Sequence, residues 1–101
     1  MDQVTKEKLD KYFQVTKAAL EEAKKSPENV DINDLTRKSF IDTVERYLSD
    51  AEHFASKHDF VNAFAALNYA HGWLDAGAKI GIFDVNNSEL FAGVDKNKEG
   101  V

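Results

Sequence analysis

The chain has no cysteine, one proline, five glycines and one tryptophan in 101 residues. Without cysteine there are no disulfides, thiolate metal sites or cysteine nucleophiles, and the chain suits a reducing cytosol. One proline and few glycines leave little material for strands joined by tight turns, which points to an all-α protein. Positive charge is also scarce: 13 Lys and Arg face 18 Asp and Glu, for a net charge of -5. Such a chain has no general attraction for phosphate backbones, so nucleic acid is not an expected partner. Long uninterrupted apolar runs are missing too. The richest stretch, residues 60–83, is broken by Asn62, Asn68, His71, Asp75 and Lys79, so no membrane span is expected. The charged amino end lacks the apolar core of a secretory signal, and a cytoplasmic location follows as an expectation.

What is present suffices for one core: 43% of residues are apolar and seven are phenylalanine. The domain is expected to span residues 1–94, with the polar segment 95–101 disordered. Residues 60–83 read as the helix around which the rest is organised. On a wheel of about 100° per residue, Phe60, Phe64, Leu67, His71, Leu74 and Ala78 form one apolar line. Ala63, Ala70, Gly81 and Ile82 flank it. The opposite side carries Ala66, Tyr69, Trp73, Ala76 and Ile80, and a helix apolar on two sides is expected to be buried on two sides. Only Asn68, Asp75 and Lys79, with Gly72 beside them, form a polar strip. Gly72 and Gly77 each cost about 1 kcal/mol against alanine inside a helix, so close packing should compensate at both.

A first helix is predicted from about Thr5, its N-cap, to Lys25, where Ser26-Pro27 stops it. Leu9, Phe13, Thr16, Leu20 and Ala23 form its apolar stripe, and Glu21 and Lys25 stand at ion-pair spacing. A second helix is predicted from Asp31 as N-cap to about Lys57, with Val30 and Leu35 as a hydrophobic staple. Phe40, Val44, Tyr47, Leu48, Ala51 and Phe54 form its buried face. The short joint His58-Asp59, with Asp59 as the next N-cap, forces helices two and three into an antiparallel hairpin. Past a turn at residues 84–87, residues 88–91 form one helical turn whose Leu90 and Phe91 dock back. The expected architecture is an antiparallel up-down-up three-helix bundle with a short C-terminal appendage.

Residues 47–54, and more specifically residues 59–77 with Asn68-Tyr69-Ala70-His71-Gly72-Trp73-Leu74-Asp75-Ala76-Gly77 at their heart, resemble a known family. They are similar to the archaeal proteins catalogued as domain of unknown function 357, with likeness from about Leu9 to Phe83. The resemblance implies an archaeal, cytosolic three-helix bundle. It brings no established activity, cofactor or catalytic residue.

Several residues invite chemistry. His71 lies in the main apolar line with Asp75 one turn on, the spacing of a polarised imidazole; the plainer expectation is a histidine bonded to a neighbouring helix. No second histidine stands at metal spacing on that helix, so no metal or other cofactor is expected. Tyr69, Trp73 and Ile80 are core if helix one covers them, and a hot spot for a protein partner or a second copy if it does not. Leu90 and Phe91 are further partner-binding candidates. Arg46 and His53 share a helix face at the spacing of the Arg–His pair of helical-bundle ribonucleases, whereas Asp42, Arg46 and Asp50 read more simply as a solvated salt ladder. Asp75 and Lys79 also read as an i,i+4 pair. The hairpin of helices two and three resembles a single tetratricopeptide-like unit, which would offer a groove for a peptide or helix. With no nucleophile and base, phosphate loop or metal cluster, the reading is a non-enzymatic interaction module, the ribonuclease-like bundle being the alternative.

Overall fold

The computed structural model describes residues 4–28 and 33–91. Three helices lie within them, α1 (Lys6–Lys25), α2 (Asp34–Ser56) and α3 (Phe60–Ile80), with no strand among the described residues. Thr5 caps α1, its hydroxyl accepting the Lys8 N–H at 3.1 Å. Extended backbone at Ser26, ahead of Pro27, ends it. Leu9, Thr16, Ala19, Leu20 and Ala23 form the buried face. In the last turn Glu21 pairs with Lys24 at 3.8 Å.

The start of α2 differs from expectation. Its N-cap is Asn33, whose side-chain oxygen accepts both the Thr36 N–H at 2.9 Å and the Thr36 hydroxyl at 3.1 Å. Two bonds from one residue favour Asn33 over Asp31, which lies outside the described residues along with Val30. Leu35 then falls too early in the helix for a staple and is 78% exposed.

Asp59 caps α3, accepting the Asn62 N–H at 3.2 Å, and His58 before it takes a left-handed φ of 60° to reverse the chain. The far end of α3 also differs from expectation. The helix stops at Ile80, because Gly81 adopts a left-handed φ of 90°. The Gly81 N–H then reaches the Ala78 carbonyl and the Ile82 N–H reaches that of Gly77, which closes a Schellman motif. Ile82 and Phe83 turn inward and are buried. A Cβ on Gly77 would stand 2.5 Å from the Phe83 ring, so this glycine makes room for that side chain. Gly72 has no such role, since a Cβ there would meet nothing within 4 Å.

Helix α3 is central. α1 packs parallel to it and α2 antiparallel, while the backbones of α1 and α2 come close at few points and the two helices meet through polar side chains. Tyr12 of α1 meets Phe64 edge-on, Phe40 of α2 meets Trp73 edge-on, and Tyr47 stacks on Tyr69. Ion pairs bridge α1 and α2, Lys24–Glu45 at 3.0 Å and Lys17–Glu52 at 3.8 Å. The hydrogen bond to Glu45 raises the Lys24 pKa above its ordinary value. A raised pKa means that the ammonium keeps its charge at neutral pH, and its contribution is lost as pH climbs through the alkaline range.

Arg37 ties the ends of the helices together. Its guanidinium donates to the carbonyls of Ala23 at 2.8 Å, Ser26 at 2.6 Å and Ile82 at 2.8 Å, and lies over the Phe83 ring. Nearby, the Asp84 N–H bonds to the Pro27 carbonyl. Residues 88–90 make a turn whose Leu90 and Phe91 N–H groups both reach the Asn87 carbonyl, and Phe91 is fully buried. The segment 95–101, expected to be disordered, lies outside the described residues.

Leu67 on α3 is 1% exposed, whereas Phe64 one turn earlier is half-buried. Leu67→Ala should therefore cost about 2–5 kcal/mol, and Phe64→Ala should fall at or below the lower end of its class. Urea denaturation of the two variants checks the order.

Candidate functional site

α1 and α2 cover the back of α3 and leave a third side bare. Ala66 is buried, yet its expected companions on that flank are not: Tyr69 is 62% exposed, Trp73 38% and Ile80 55%. The expectation that both apolar sides would be covered is therefore corrected. Tyr47 and Phe40 of α2 approach Tyr69 and Trp73 from one edge, and α1 lies on the Phe64 and His71 side, so neither roofs the strip between them. Val61, Ala65, Gly72 and Ala76 are exposed on the same side. Asn68, Tyr69, Gly72, Trp73 and Ala76 bound a notch of about 290 Å³.

Of the expected polar strip, Asn68 and Lys79 are exposed, but Asp75 is half-buried. It borders a cleft of about 250 Å³ between α1 and α3, along with Tyr12, Val15, Thr16, Asn68, His71 and Gly72. His71 is engaged at both ring nitrogens. Nε2 lies 2.6 Å from the Leu90 carbonyl and Nδ1 lies 3.1 Å from the Thr16 hydroxyl. A carbonyl can only accept, so Nε2 carries a proton, and in the neutral ring Nδ1 accepts from the Thr16 hydroxyl. Asp75 Oδ1 stands 3.7 Å from Nε2. With its lone pair taken by a buried hydroxyl, this imidazole is placed to hold three parts of the chain together rather than to take a proton from a substrate.

The other candidates are dispersed. Phe91 is fully buried within its own chain, which removes it from the partner-binding surface, and Leu90 is half-buried. Docking of this turn through His71 is the physical reason. Arg46 and His53 are both exposed on α2. Arg46 borders two shallow depressions with Thr43, Ser49 and, variously, Asp42, Glu45, Tyr47 or Asp50, none of which includes His53. Among the described residues no ion pair joins Asp42, Arg46 and Asp50, so the salt ladder does not form; the three exposed side chains stand in water instead. No group of three or more His, Asp or Glu among the described residues converges as a metal site, and no described helix is long and apolar enough to cross a membrane.

Arg37 escaped sequence reasoning, although it left a trace. A cation in the first turns of a helix opposes the positive end of the helix dipole, and it sits there when a stronger partner compensates. Here the partners are backbone carbonyls at the end of α1 and just past α3.

A family model described as "Protein of unknown function (DUF357)" matches residues 11–83. No curated protein and no solved structure matches the chain significantly.

Proposed function

Because this chain belongs to the DUF357 family, whose description leaves the function open, we propose from its surface that it is a non-enzymatic protein-interaction module. The observation that supports this reading is the bare side of α3. Tyr69, Trp73 and Ile80 stand exposed on a helix that carries no charged residue from Phe60 to Leu74. Aromatic side chains left in water on an uncharged helix face are the usual anchors of protein partners. A compact helical unit with this face belongs in the reducing cytosol of an archaeon, as the cysteine-free composition and the family resemblance suggest.

The test uses the chain's one tryptophan, Trp73. The full-length protein is used to capture partners from an archaeal lysate, in parallel with an Ala76→Glu variant that puts a charge on the bare side. The wild type should retain a protein that the variant loses, with Trp73 emission shifting to the blue on binding. Degradation of added RNA by the wild type, abolished in an Arg46→Ala, His53→Ala variant, would instead establish an enzyme and overturn the reading.

A further inference from the structure

We propose that the bare side of α3 is the interface of a symmetric homodimer, in which two copies of α3 lie antiparallel about a two-fold axis between Gly72 and Trp73. The inference rests on the interaction reading above and names its partner, a second copy of this chain.

Six exposed residues form the seam: Ala65, Tyr69, Gly72, Trp73, Ala76 and Ile80. At 3.6 residues per turn they fall within an arc of about 100° and along about 22 Å of helix. In an antiparallel pair centred between Gly72 and Trp73, Ala65 stands level with Ile80 of the second copy. Tyr69 stands level with its Ala76, while Gly72 and Trp73, at opposite margins of the seam, each lie beside their own counterpart at the axis. Tyr69 and Ile80 each meet a small side chain, and the two-fold repeats each match. Sliding the copies by one turn either way sets Tyr69 against Ile80 or Ala65 against Ala76. A parallel pair sets like against like at every level. Along the centre of the seam the order Ala65, Tyr69, Ala76, Ile80, small, large, small, large, is complementary to itself when reversed, a property that binding an unrelated helix would not require.

Three further observations agree. Gly72 occupies a helix interior although no side chain or backbone of its own chain needs the space. The notch of about 290 Å³ beside it is roomy enough for an indole ring. Each chain carries a net charge of -5, but the seam itself has no acidic residue, so two copies meet there without opposed like charges. At about 200 Å² per large side chain, the exposed parts of Tyr69, Trp73 and Ile80 supply roughly 300 Å² of apolar surface per copy. The alanines, Gly72, and the shoulders formed by Tyr12 and Tyr47 extend this toward the roughly 800 Å² per partner of a specific dimer.

Sedimentation velocity of the full chain tests the proposal. At about 100 µM the wild type should sediment as a dimer and dissociate on dilution through the micromolar range, as modest interfaces do. Gly72→Ala should raise the thermal midpoint of the monomer, since alanine favours the helix, yet weaken the dimer about tenfold or more. Ala65→Ile alone and Ile80→Ala alone should each weaken it too. The double variant Ala65→Ile, Ile80→Ala should restore dimerisation, because the exchange keeps large opposite small. A wild type that remains monomeric at the highest concentration, or a double variant no better than its parents, overturns the proposal. If the monomeric wild type still captures another protein that Ala76→Glu does not, self-pairing falls while the interaction reading stands; if it captures nothing, both fall.

Discussion

Phe91→Ala should destabilise the protein by about 3–5 kcal/mol, the usual cost of emptying a fully buried phenylalanine site. The ring is 0% exposed although it lies eleven residues past the end of α3. Nearby, His71 Nε2 donates to the carbonyl of Leu90, and Asn87 accepts both N–H groups of the turn. At about 4–8 °C per kcal/mol for a domain of this size, the thermal midpoint should fall by more than about 10 °C. Removing the residues after Asp95 should change little by comparison. Chemical denaturation distinguishes the two alterations. A loss below about 1 kcal/mol for Phe91→Ala would mean that the appendage rests on the surface, and would return Phe91 to the list of partner-binding candidates.

Arg37→Ala should cost about 2–4 kcal/mol, because hydrogen bonds to a charged group are worth about 1.5–3 kcal/mol and several sharing one donor do not add in full. The arginine is 14% exposed and donates to three carbonyls at 2.6–2.8 Å, with a fourth, that of Lys24, at 3.3 Å. Two of these carbonyls belong to the C-terminal end of α1, where a cation also complements the helix dipole. Arg37→Lys separates charge from geometry. Lysine keeps the charge but loses the planar fork that reaches α1 and the segment after α3 together. The expected result is that lysine recovers less than half of the loss in urea denaturation. A lysine variant as stable as the wild type would show that the charge alone matters.

The helical plan was legible because local chemistry and apolar periodicity agreed. Thr5 and Asp59 cap the helices that they were expected to cap. The short joint enforced a hairpin, and of the stripe Leu9, Phe13, Thr16, Leu20, Ala23 all but the half-buried Phe13 are buried as its spacing predicts. His71 bonds to Thr16 on a neighbouring helix, as its place on the apolar line suggested. Periodicity ran out where structure depends on backbone conformation or on distant partners. A wheel cannot see that Gly81 turns left-handed, so it carried α3 on to Phe83, three residues too far. It equally cannot tell whether an apolar side faces a neighbour or water. Tyr69, Trp73 and Ile80 read as core by composition, and only the positions of α1 and α2 leave them outside. The bonds of Arg37 bridge up to 45 residues of sequence, beyond the reach of any local pattern.

The few points of close approach between the backbones of α1 and α2 have a consequence for how the chain is born. The hydrophobic face of α1 finds its mate in α3, with the Thr16–His71 contact 55 residues apart in sequence. During synthesis α1 therefore leaves the ribosome before both of its partners and waits, with Leu9 and Leu20 unsheltered, until α3 emerges. The α2–α3 hairpin, closed by a short loop, can assemble as soon as both its arms are out. Of the three helices, the one made earliest is the last to gain shelter.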